Sequence, residues 1–173
     1  MAKPEAKAET KADAKPGLWA FSTDIYERQG VADICLALQD KFGLDVNLLL
    51  YGCWRGERLS EPEMAAAMEL VANWRDEIVR PLRRLRRLLK PGFPPIPEND
   101  LQVFRHRVAD VELEAERLQQ QVLESVGADT LAPNAAAAAA NLATYMRVSE
   151  VPLNDRTQAL VVALLAAVFP EPS

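Results

Sequence analysis

Apolar residues recur at helical spacing along most of the chain, and no stretch sustains the strict alternation of a half-buried strand. Leu18, Phe21 and Ile25 form one short stripe, with Trp19 and Tyr26 beside it and Gly30 as punctuation. Val31, Ile34, Cys35, Leu38 and Phe42 form a second. Gly43 suits a left-handed cap at its end, and Asp45 can cap the helix that follows. That helix carries Val46, Leu48, Leu49, Leu50, Cys53 and Trp54, apolar nearly all round, which places it at the centre of the core.

Ser60, Pro62 and Glu63 spell a helix start with a capping box. A long helix over residues 64–90 follows, its inward face drawn from Met64, Val71, Trp74, Ile78, Leu82, Leu85 and Leu89. Pro81 lies inside it and predicts a kink or break over residues 77–81. Four prolines within residues 91–97 then make a stiff connector that turns the chain back. Leu101, Phe104, Val108, Val111, Ala115, Leu118, Val122 and Val126 mark the next helix as one continuous inward stripe, ended by Gly127. An Ala-rich helix opens near Asn134, and Asn154 or Asp155 caps the last one. Residues 159–169 form an unbroken apolar run, which predicts a buried final helix. The expected fold is all-α: a compact single-domain bundle of about six to eight helices with a Pro-rich connector.

Composition narrows the class. With 26% charged and 49% apolar residues, the chain is neither wholly disordered, nor collagen-like, nor a polytopic membrane protein. The longest apolar run has 11 residues, against the ~20 of a membrane-spanning helix. Residues 1–16 alternate Lys, acid, Ala and Pro without the apolar run of a secretory signal, so they are expected to form a disordered tail before a helical domain over 17–170. Two cysteines, Cys35 and Cys53, exclude a disulfide scaffold and a four-cysteine zinc module, and fit a reducing cytoplasm. Both fall on apolar faces, where packing is the expected role. One histidine, His106, supports neither a triad nor a zinc site.

Two constellations could carry chemistry. Arg80, Arg83, Arg84, Arg86, Arg87 and Lys90 put six cations into eleven residues, and with the leucines facing inward they spread over the outward face as a polyanion-binding candidate. Residues 98–129 answer with eight acids against three arginines, so an antiparallel return of that helix would let the charges pair. The net charge of −5 also disfavours nucleic acid. The second constellation is Asp33, Asp40 and Asp45. Asp33 and Asp40 lie seven residues apart on one helical face and could hold Mg²⁺ with a substrate phosphate, although Asp45 is explained equally by capping. No phosphate-cradling Gly loop and no nucleophile elbow occurs.

The segments Leu18-Trp19-Ala20-Phe21-Ser22, Gly30-Val31-Ala32, Cys35-Leu36-Ala37-Leu38-Gln39-Asp40 and Gly43-Leu44-Asp45-Val46-Asn47-Leu48-Leu49-Leu50, with Trp74-Arg75 and Val79-Arg80-Pro81-Leu82-Arg83 further on, carry a resemblance. Over roughly residues 18–125 the chain resembles a family of small conserved proteobacterial proteins of unknown function. The resemblance implies a compact helical protein of the bacterial cytoplasm with no assigned reaction, cofactor or catalytic residue, and it carries over no site. The residues favour a non-enzymatic interaction or scaffold protein without a cofactor, its partner another protein or a second copy of itself. Two alternatives stand beside it: a nucleic-acid or ribosome-associated factor using the basic helix, and a Mg²⁺-dependent helical enzyme acting on a phosphorylated substrate.

Overall fold

In the computed structural model, which describes residues 15–127 and 131–170, eight α-helices and one π-helical turn follow in order. They are α1 (Leu18–Tyr26), α2 (Val31–Phe42), α3 (Val46–Trp54) and α4 (Glu61–Trp74), then a π-helical turn (Arg75–Val79) leading into α5 (Arg80–Leu88), and α6 (Glu98–Ser125), α7 (Ala135–Val148) and α8 (Asp155–Val168). No strand occurs among the described residues. Residues 1–14, most of the expected tail, lie outside them; Pro16 is docked, its carbonyl accepting from the Trp54 indole at 2.7 Å.

Local chemistry sets the boundaries. Gly43 closes α2 at φ 70°, in the left-handed region that a side chain would strain. Asp45 caps α3 by accepting from Asn47 N at 2.8 Å, and Ser60 and Glu63 complete a reciprocal capping box on α4. Pro81 does not end its helix. It lacks the N–H that would bond the carbonyl of Glu77, and the chain absorbs the loss by widening the preceding turn, Arg75–Val79, to π geometry.

Every residue of α3 is buried, as its all-round apolarity demands, and α1, α2, α6 and α7 pack about it. The small residues of α7 allow that helix close to α3: a Cβ on Gly52 would sit 3.5 Å from the Asn141 Cβ. Asn141, fully buried, then donates to Gly52 O and Glu57 O and accepts from Leu59 N, tying down the loop between α3 and α4. Helix α8 covers α2. The α4–α5 arm and α6 run against each other as a long hairpin, with Leu89, Leu101 and Val108 forming a small separate core near its connector.

Two apolar stripes differ from expectation. On α6, Leu101, Val108 and Ala115 are buried, whereas Phe104 and Val111 are 50% and 54% exposed and Leu118, Val122 and Val126 are exposed as well. The helix is rolled so that Glu112, Gln119 and Gln120 point inward instead, because each finds a partner there that offsets its desolvation. The last helix is half-buried, not buried: Val161, Leu164 and Val168 face α2 while Val162 is exposed. No helix among the described residues is long and apolar enough to cross a membrane.

Candidate functional site

The roll of α6 decides what happens to the basic helix. Glu112 and Glu116 lie four residues apart, so they stack one turn above the other on the face towards α5. Arg83 and Arg86 turn inward to meet them, while Leu85 and Leu88 are exposed, which reverses the outward face expected for those two arginines. Arg83 donates through Nε to Glu112 at 3.1 Å and through Nη2 to Glu116. Arg86 donates through Nε and Nη2 to both oxygens of Glu112, a bidentate pair. Glu112 is only 4% exposed, so this is a desolvated network. Burial pushes the Glu116 carboxyl upward, against the pull of Arg83.

The remaining cations part company. Arg80 pairs with Asp76 at 2.8 Å, and Asp76 also takes a bidentate pair from Arg75. Arg87 reaches across to Asp40 on α2 at 2.8 Å, a bond that holds the Asp40 carboxyl below the usual carboxylate range. Arg84 and Lys90 make no ion pair among the described residues.

A cleft of ≈ 500 Å³ opens between the C-terminal end of α2, the turn before α3, and the π-turn with α5. Arg75, Arg80, Arg83, Arg84 and Arg87 line it, facing Asp40 and Asp45. Four of the six basic candidates and two of the three acidic ones thus converge on one feature; Arg86 and Lys90 lie outside it, and Asp33 stands exposed at the other end of α2. Asp45 is heavily engaged: Oδ1 accepts from Asn47 N and Oδ2 from Gln119 Nε2 at 2.7 Å, while its own N–H donates to Tyr145 Oη at 2.8 Å. No group of three or more His, Cys, Asp or Glu among the described residues is placed to hold a metal ion.

Arg75 escaped the sequence reading because it stands apart from the arginine run. The readable signal was Pro81, whose π-turn begins at Arg75 and presents it beside Arg80. Chemically, the cleft's lining carries more guanidinium forks than carboxylates, with Asp76 bonded to two of the guanidiniums from outside it, and Leu44 and Val79 are buried beneath. Its walls carry no Ser, Cys, His, Lys or Tyr. That inventory suits recognition of anions by bidentate pairing.

Fold and cleft together define an all-helical bundle with an arginine-lined cleft. The chain belongs to the family described as "Protein of unknown function (DUF2390)", which it matches over residues 17–123. All residues lining the cleft fall inside that segment, whereas α7 and α8 lie beyond it. No curated protein and no solved structure matches the chain.

Proposed function

We propose that this protein is a non-enzymatic interaction module of the bacterial cytoplasm that docks an acidic segment of a partner protein in the arginine cleft. The observation that carries this reading is the gathering of five guanidiniums in one ≈ 500 Å³ recess, four of them already bonded to carboxylates and the fifth, Arg84, in no ion pair among the described residues. Carboxylate side chains match guanidinium forks in plane and spacing. The buried, unbridged Cys35 and Cys53 support a reducing compartment.

A nucleic-acid partner is less well served. Arg80, Arg83, Arg86 and Arg87 are each bonded to a carboxylate, so the basic helix offers no unbroken row of cations to a phosphate backbone. The test is fluorescence anisotropy with a labelled Asp/Glu-rich peptide and a labelled single-stranded RNA of similar length, at about 50 and 200 mM salt. The peptide should bind more tightly than the RNA at both salts, and Arg84→Gln with Arg87→Gln should abolish its binding. Tighter RNA binding with a steep salt dependence would move the assignment to nucleic acid, and no binding of either at low salt would remove the cleft from consideration.

A further inference from the structure

A second recess lies on the far side of Arg83, bounded by α1, α2, α3, α5 and α6, with a volume of ≈ 460 Å³. Its character is opposite to that of the arginine cleft. Trp19, Tyr26, Leu36, Val46, Leu50 and Leu113 give it apolar walls, two of them aromatic. Leu36 and Leu113 are among the exposed large apolar side chains of the surface, and here they form part of a concave wall.

The polar groups on the floor are short of donors. Glu112 spends both oxygens on Arg83 and Arg86, but Glu116 uses only Oε1, and no donor reaches its Oε2 among the described residues. Gln120 gives its amide N–H to Asn47 Oδ1 at 2.8 Å, which leaves Oε1 without a protein partner although the residue is only 2% exposed. Ser22 Oγ, from α1, is likewise buried without a protein partner. Glu27 stands at the rim in no ion pair among the described residues. Counting charges on the lining, Glu27, Glu112 and Glu116 outweigh Arg83 and Arg86 by one.

We infer that this recess is a binding site for a small primary amine with an aromatic or branched aliphatic body, its ammonium group donating to Glu116 Oε2 and its body lying against Trp19, Tyr26, Leu36 and Leu113. The class follows from the complement of the lining. Apolar walls ask for an apolar body, aromatic faces favour a cation beside them, and the unspent carboxylate oxygens of Glu116 and Glu27 are acceptors, with the buried Gln120 Oε1 a third acceptor and the Ser22 hydroxyl able to donate or accept. An anionic head would find Arg83 and Arg86 already neutralised and would face Glu116 and Glu27. The upward push of burial on the Glu116 carboxyl agrees, since an ammonium beside it restores the charge balance that burial disturbs. This inference is independent of what occupies the arginine cleft.

The experiment is a titration of the full chain with phenethylamine, 2-phenylethanol and 3-phenylpropionate, followed by ¹H–¹⁵N NMR. Phenethylamine should shift the Trp19 indole, the Gln120 side-chain amide and the backbone at Leu36 and Leu113, and should bind about tenfold more tightly than the alcohol, the scale of one charge-assisted hydrogen bond. 3-Phenylpropionate should leave those signals unmoved. Glu116→Gln should bring the amine and the alcohol to within about threefold of one another. Leu36→Ser, a change on the exposed rim that leaves the core intact, should weaken both ligands together. Equal affinity of the amine and the alcohol for the parent chain, preference for the carboxylate, or shifts centred on any other surface would each overturn the assignment.

Discussion

Replacing Glu112 by Leu removes the carboxylate at the centre of the α5–α6 junction while keeping most of its volume. Three hydrogen bonds disappear: one from Arg83 Nε and two from Arg86. Breaking a buried pair by deleting one member costs about 3–5 kcal/mol, chiefly because the surviving charge is left desolvated. Two features of the site pull the expectation to the lower end. Arg83 keeps Glu116, and the Arg86 side chain is 31% exposed, enough to turn its guanidinium to water. The expected loss is therefore about 3 kcal/mol, which for a chain of this size lowers the melting temperature by roughly 6–12 °C. Thermal and urea unfolding followed by circular dichroism measures it. The companion variant carries Arg86→Leu as well; with no stranded cation it should regain most of the loss. A single variant within about 0.5 kcal/mol of the parent would place the network in the class of solvated surface pairs. A double variant no more stable than the single would mean that lost packing, not the uncompensated charge, sets the cost.

Gly56→Ala should destabilise by at least about 3 kcal/mol in urea unfolding, since a Cβ there would lie 2.1 Å from the Leu131 carbonyl oxygen and backbone must move to admit it. Burial pushes the Cys35 thiol up to about 12 and Cys53 upward too, so a thiol reagent at mildly alkaline pH should label neither until the chain is unfolded. Asp40, held below its ordinary 3.8 chiefly by its hydrogen bond from Arg87, contributes stability above that pH and loses it as pH falls through the native value; Asp40→Asn should flatten the acid limb of a stability–pH curve. Glu116 has the opposite sign. Burial raises it above 4.5, the native state holds its proton longer than the unfolded chain, and stability declines as pH rises through that window; Glu116→Gln should remove the decline.

How far the sequence discloses this molecule depends on whether a residue's position is set locally. Asp45, Gly43, Ser60 and Glu63 act within a few residues of themselves, and their capping roles are readable from spacing alone. The buried status of α3 is equally legible, because a helix apolar all round has no face to offer water. The orientation of α6 is not local. Its apolar line and its Glu112–Gln119–Gln120 line lie close together on the helix surface, and a helical period cannot say which of them an unseen neighbour will face. The neighbour settles it: α3 presents Asn47 and its cap Asp45, and α5 presents Arg83 and Arg86. The acid run on α6 foreshadowed the pairing with α5, yet the inward turn of Arg83 and Arg86 required knowing the roll.

That same roll explains why the two recesses differ in chemistry though they share the walls of Gln39 and Arg83. Arg83 spends its donors on Glu112 and Glu116, on the side of the second recess, and so closes off positive charge there. On the other side the π-turn takes up about one residue more than an α-turn would, and Arg75 enters the cleft together with Arg80, Arg84 and Arg87. Carboxylates from α6 do not line that cleft; the acids that do are Asp40, already bonded to Arg87, and Asp45, which is occupied as a cap. Glu112 and Glu116 therefore neutralise Arg83 on one face, while on the other, with Asp76 holding Arg75 and Arg80 and Asp40 holding Arg87, Arg84 is the lining arginine left without an ion pair among the described residues. If the two recesses take the proposed amine and acidic ligands, selectivity between them rests on which side of one arginine each approaches, and it depends on Glu112 and Glu116 staying paired with α5.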